Sequence, residues 1–175
     1  MTDDIAAEAA VRRLHALYTD AVWRKDVDAF GACFTDDAQW RLSGIVVEGR
    51  ANIARFMAAA FDKYRRILLT FRSPIVDVVE EGEIVARTYV SERSVLANGQ
   101  AYGPIGTYYD RFAVVDGALK FSWRLFMSDY IGPPDMSGTF YDNPDFGPPP
   151  AMPALDQPTF DRSGILTGAK GDTRD

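Results

Sequence analysis

The stretch that most limits what this chain can become is residues 106–128, GTYYDRFAVVDGALKFSWRLFMS. Two apolar runs flank Asp116-Gly117, and both residues of that pair tolerate the positive φ of a two-residue hairpin turn. The arms carry Tyr108, Asp110, Arg111, Trp123, Arg124 and Phe126. Long strands that mix aromatic and charged residues at period two predict a sheet with one lined, concave face. The rest of the chain must supply the other walls.

Upstream, the pattern is helical before it turns to period two. Val11, Leu14, Tyr18 and Val22 recur at helical spacing, with Leu17 and Ala21 widening the stripe and Asp3 or Asp4 as its cap. Asp26 is placed to cap a short second helix through Phe34, and Thr35-Asp36-Asp37 is expected to break it. Residues 38–42 read as a short strand with Trp40 and Leu42 on one side; Ser43-Gly44 turns it onto residues 45–47. A third helix is expected over 50–63, apolar along Ile53, Phe56, Met57, Ala60 and Phe61. Four strands follow, at 66–79, 83–96, 100–115 and 118–131, with turns at Glu81-Gly82, Asn98-Gly99 and Asp116-Gly117. Strands joined by hairpins make an antiparallel meander, and helices gathered ahead of strands argue an α+β fold.

The texture changes at Gly132. Most of the 10 prolines lie beyond it, and proline excludes helix and interior strand. Residues 132–175 are therefore expected to form an extended arm on a 1–131 domain. Phe140, Tyr141 and Phe146 give the arm something to bury, and residues 167–175 are expected to be disordered.

Composition narrows the partners. Net charge is −6 with no long basic run, which argues against nucleic acid. Cys33 is the one cysteine and His15 the one histidine, too few for a disulfide or a zinc site. No apolar run approaches the ~20 residues that span a bilayer, and the first residues are acidic, unlike a secretory leader. The expectation is a cytoplasmic protein with no metal or organic cofactor and no membrane partner.

The order of elements, three helices, a short hairpin and a long curved meander, resembles the nuclear transport factor-like superfamily, and within it the SnoaL-like branch. The residues that carry the resemblance are 9–11 through Leu17-Tyr18, 34–40, and 106–112 with Asp116-Gly117 and Lys120-Phe121. It covers roughly residues 5–131. The resemblance implies a cone-shaped sheet around a pocket. It does not fix a function, because the fold hosts isomerases, dehydratases, cyclases, hydrolases and inert subunits. Scytalone dehydratase and lindane dehydrochlorinase, two members with similar element order, use an aspartate at the end of helix 1 with a histidine on the sheet. Here Trp23 stands at the aspartate position, and Leu69 or Thr70 at the histidine position. Asp26 is nearby but suits a helix cap. An enzyme built on this chain would not use that pair.

Other pocket positions carry over from the resemblance. Arg124 matches an arginine on the last strand, and Tyr108 a polar residue on the strand before it. Alternation turns Asp110 the same way as Tyr108, and Phe126, Ser128 and Tyr130 the same way as Arg124. The expected catalytic set is Arg124 and Tyr108 stabilising a leaving hydroxyl or oxyanion, and Asp110 moving the proton. The plain alternative is that Arg124 lies on the convex face and salt-bridges Asp110 or Glu92 at the surface. The expected substrate wall is Tyr18, Trp23, Trp40, Leu69, Phe71, Glu92, Phe126, Ser128 and Tyr130. Glu92 and Ser94 share a central strand whose face the sequence leaves open. His15 reads more readily as structural than as an acid or base, although it is the one side chain whose ordinary pKa lies near neutrality.

Together these features predict a cofactor-independent lyase of dehydration type acting on a small hydrophobic aromatic substrate, with the early arm closing the pocket mouth. A narrower form couples water loss to C–C cleavage and releases formaldehyde from a lignin-derived diarylpropane. Tyr141-Asp142-Asn143-Pro144 is similar to a tail motif of SnoaL-like proteins that do so. An isomerase or polyketide-cyclase-like enzyme, and a non-catalytic ligand-binding or assembly subunit, are the alternatives. A homodimer or homotrimer is expected, because in the superfamily the open sheet face often packs on another copy.

Overall fold

The computed structural model describes residues 2–79 and 83–160. The elements are α1 (Thr2–Arg24), α2 (Val27–Ala32), β1 (Phe34–Leu42), β2 (Ile45–Glu48), α3 (Arg50–Phe61), β3 (Tyr64–Phe71), β4 (Ile75–Val78), β5 (Ile84–Leu96), β6 (Ala101–Tyr102), β7 (Ile105–Val115), β8 (Ala118–Ile131) and β9 (Thr139–Phe140). The sheet order is β2-β1-β8-β7-β5-β3, with β4 and β6 also on β5 and β9 on β8. The α+β class stands. The sheet itself is mixed, because β1 runs parallel to β8. The expected all-antiparallel sheet is corrected at that one ladder.

Local chemistry explains most boundaries. Asp116 and Gly117 both take positive φ, 51° and 75°, and join β7 to β8 as the sequence predicts. Asp26 Oδ1 accepts the Ala29 backbone N–H at 2.9 Å and caps α2. On α1 the buried stripe is Val11, Leu14, His15, Tyr18, Ala21 and Val22; Leu17 is exposed, so it does not widen the stripe. The expected break at Thr35-Asp36-Asp37 lies inside β1, where a register shift between Phe34 and Gln39 absorbs it. The third expected strand is split at Gly103-Pro104, giving β6 and β7. The first is split near Pro74, giving β3 and β4, which both pair with β5. The Glu81-Gly82 turn and residues 167–175 lie outside the described residues.

The helices sit in the curl of the sheet. Tyr18, Phe30, Phe34, Trp40, Ile53, Phe61 and Phe121 form the main core there. A second cluster of Tyr109, Trp123, Leu125 and Met127 lies on the other face, covered by Phe146 and Met152 of the arm. The Trp123 indole N–H donates to the Leu155 carbonyl at 3.1 Å, and Arg41 Nε to the Gln157 carbonyl at 2.9 Å. The arm thus straps the outer face with its own chain.

Candidate functional site

A cavity of about 130 Å³ lies between α1, α3 and the inner face of the sheet. Tyr18 and Val22 of α1, Trp40 and Leu42 of β1, and Phe56, Met57 and Ala60 of α3 line one side. Tyr64, Ile67 and Leu69 of β3, Val90 and Glu92 of β5, Tyr102, Pro104, Tyr108, Phe126 and Ser128 complete it. The lining is almost wholly apolar, so the few polar groups in it matter.

Glu92 is the ionisable carboxyl in this lining. Its side chain is half-buried and has no salt-bridge partner among the described residues. Burial pushes its pKa up to about 7, with the Ser94 hydroxyl pulling the other way. Tyr64 and Tyr102 stand close enough to feel its charge. Burial raises their pKa values first and Glu92 adds to it, so both stay protonated donors. The Trp40 indole N–H is buried without a partner in the protein.

Arg124 and Asp110 are placed differently from expectation. Both are fully buried, and neither lines the cavity. Arg124 Nε donates to Asp110 Oδ1 at 2.7 Å and Nη2 to Oδ2 at 3.0 Å. The guanidinium carbon sits 3.8 Å from the Tyr108 ring centroid and 3.9 Å from that of Phe121. Its flat face is sandwiched between two rings while its edge is clamped by a carboxylate. Burial alone would raise the Asp110 pKa; the Arg124 charge overrides it and holds the carboxyl below its usual range. Burial likewise works against the Arg124 charge, and Asp110 overrides it and raises that pKa. A carboxylate held ionised by a permanent partner is poorly suited to shuttle a proton near neutrality.

His15 completes this buried group. Its Nε2 lies 3.6 Å from Asp110 Oδ2, and its ring stacks on Phe71 at 4.5 Å. Burial lowers its pKa, so it is neutral at pH 7.

Of the expected substrate wall, Tyr18, Trp40, Leu69, Glu92, Phe126 and Ser128 line the cavity, as does Tyr108 from the expected catalytic set. Phe71 instead faces an outer groove along α1, together with His15 and Trp23. Trp23 is 51% exposed and its indole N–H donates to the Leu69 carbonyl at 2.8 Å. The positions that the resemblance assigns to an Asp-His pair are therefore neighbours here, joined by a structural hydrogen bond. Tyr130 is buried away from the cavity, its hydroxyl donating to the Pro133 carbonyl at 2.6 Å and accepting from Gly138 N–H at 2.8 Å. Among the described residues none of the arm lines the cavity, and Tyr141 of the arm packs against the main core. Sequence reasoning missed Tyr64 and Tyr102. Their signal lay in pairing: Leu69 faces Glu92 and Tyr102 faces Ser94 across β5.

A curled sheet closed by N-terminal helices around an apolar cavity defines the cone-shaped fold of the nuclear transport factor-like superfamily. A match to the SnoaL-like domain over residues 3–125 shows the family, and the chain belongs to it. Among solved structures, it is similar to hexachlorocyclohexane dehydrochlorinase (LinA) type 2 at 20% identity and a TM-score of 0.67, over 85% of this chain and 98% of that one. A provisionally named scytalone dehydratase from Novosphingobium aromaticivorans DSM 12444 aligns at 20% identity and a TM-score of 0.69, over 82% of this chain and 94% of that one. A provisionally named aromatic ring hydroxylase from Novosphingobium aromaticivorans aligns at 25% identity and a TM-score of 0.65, over 70% and 88%. The curated proteins contain no match. No helix among the described residues is long and apolar enough to cross a membrane.

Proposed function

We propose that the chain is a lyase that removes water from a small single-ring aromatic alcohol, with Glu92 as its proton carrier. The observation that carries this reading is a carboxyl with no salt-bridge partner among the described residues, its pKa raised to about 7, at the wall of an apolar aromatic cavity. As a carboxylate, Glu92 takes the proton from a carbon next to the carbinol centre. The C–O bond breaks, the new double bond forms, and the departing hydroxyl leaves as water with the proton Glu92 returns. Tyr64 and Tyr102, held as phenols, donate to the leaving oxygen. Arg124 acts one layer behind, stacked on Tyr108 and clamped by Asp110, and keeps that wall rigid.

Size supports a single ring. An engineered apolar cavity of about 150 Å³ holds a benzene molecule, and this one has about 130 Å³. A two-ring diarylpropane, the substrate of the formaldehyde-releasing form, would need its second ring outside the walls of this cavity. The dehydrochlorinase and dehydratase names borne by two of the similar folds describe eliminations, which agrees with the reaction class.

The test is incubation with a panel of benzylic and phenyl-substituted alcohols, diarylpropane diols included, with products read by mass spectrometry. Loss of 18 mass units (one water) from a single-ring member supports the reading. Deuterium uptake from solvent with no mass loss would replace it with isomerisation, which needs the same single carboxyl.

A further inference from the structure

Ser94 is buried on β5 two residues from Glu92, so both side chains share the inner face. Its Oγ lies 2.6 Å from Glu92 Oε1 and 3.0 Å from the Tyr102 carbonyl oxygen. A hydroxyl has one hydrogen to give, and a carbonyl only accepts. When Ser94 gives its hydrogen to the Tyr102 carbonyl, the 2.6 Å contact needs a proton on Glu92 Oε1. When Ser94 gives it to Glu92, Oε1 carries no proton and the hydrogen leaves the carbonyl. One hydrogen-bond chain thus has two settings, one with Oε1 protonated and one with Oε1 bare. The other oxygen, Oε2, has no hydrogen-bond partner among the described residues and is not among the sealed polar atoms. The titratable groups around the carboxyl are phenols: Tyr64 from β3, Tyr102 from β6 and Tyr108 from β7.

The geometry assigns Ser94 as a positioning residue: it anchors Glu92 through Oε1 in both protonation states and leaves Oε2 as the atom that meets a ligand. The inference rests on the reading of Glu92 as proton carrier and specifies its ligand. With the proton on Oε1, Oε2 is an acceptor, suited to a neutral ring bearing a hydroxyl, such as a phenol or a benzylic alcohol. In the ionised setting Ser94 stabilises the charge on Oε1, and Oε2 holds the lone pair that takes a proton. A bond to the charged form is the stronger of the two, so removing Ser94 favours the protonated acid.

The experiment is a carbon-13 NMR titration of protein labelled at the glutamate carboxyl carbons, with Glu92→Gln assigning the resonance. Wild type is expected to titrate near the value of about 7 set by burial. Ser94→Ala is expected to raise that midpoint by about one pH unit, a tenfold change in the equilibrium, and Ser94→Thr to restore it. A Ser94→Ala midpoint equal to wild type, or a Ser94→Thr midpoint equal to that of Ser94→Ala, would overturn the assignment. A second readout is fluorine NMR binding of 4-fluorophenol against 4-fluorotoluene. The phenol is expected to bind roughly tenfold tighter to wild type, with the preference shrinking in Ser94→Ala; an equal preference in both proteins counts against the role. Both readouts work without turnover. Their failure would leave Glu92 free to be the proton carrier, whereas full turnover by Glu92→Gln would remove that carrier and leave the titration result standing.

Discussion

Asp110 and Arg124 face each other across the β7–β8 ladder, and their side chains close a two-point ion pair with both fully buried. The strand pattern alone marks both residues, with Tyr108, as candidates for chemistry. In the fold the pair sits behind the cavity wall. Removing one partner leaves the other charged and buried, at a cost of about 3–5 kcal/mol. Asp110→Ala is therefore expected to destabilise the protein by that amount in urea unfolding. An unfolding midpoint like that of wild type would contradict a structural role.

Glu92 gives stability the opposite pH slope from an ordinary paired carboxylate. Its folded pKa, about 7, is above that of the unfolded chain. Between the ordinary glutamate range and pH 7 the folded state binds more protons, so this contribution is present at low pH and is lost as pH rises through 7. His15, whose folded pKa is lowered, slopes the other way. The difference between wild type and Glu92→Gln separates the two. The variant is expected to gain on wild type from pH 5 to 8, by at most on the order of 3 kcal/mol. A difference that stays flat with pH would argue that the Glu92 carboxyl has an unshifted pKa.

The cavity wall makes a steric prediction. Ala60 on α3 lines it and is not fully buried. Ala60→Phe is expected to fill the space and weaken binding of single-ring alcohols by at least about tenfold, with little loss of stability. Thermal shift with and without ligand checks both halves. Unchanged ligand shifts in the variant would place the binding site elsewhere.

The arm makes a prediction about the opposite face. A chain ended after Pro144 loses Phe146, Met152 and the Leu155 carbonyl, and uncovers Tyr109, Trp123, Leu125 and Met127. The loss is expected to be roughly 2–4 kcal/mol, with dye binding to the exposed face and a tendency to self-associate. A truncated chain with the oligomeric state and the stability of the whole one would show that the strap adds nothing.

These residues also show what the sequence could reveal. Asp116-Gly117 was legible because a hairpin turn is decided by two residues' own φ preferences. Tyr18 and Val22 were legible as one helical face, and the same geometry turns Trp23 off it, where it ends half in solvent. The parallel β1–β8 ladder was not legible, because pairing Phe34 with Phe121 depends on how far the whole sheet curls. The raised pKa of Glu92 was hidden for a similar reason. Its pKa is set by burial among residues from β3, β6 and β7, and strand alternation alone does not fix which face is inside. Arg124 lies among Tyr18, Phe71, Tyr108 and Phe121 and not on the cavity wall, because depth along the cone is not written in a period of two.

The most direct test of the central claim is turnover of the alcohol panel by Glu92→Gln beside wild type and Ser94→Ala. The account predicts water loss from a single-ring alcohol by wild type. Glu92→Gln should slow it at least about 100-fold, as expected for loss of a general acid-base group, while remaining folded. Wild-type rates in Glu92→Gln would contradict it and return the proton transfer to another group.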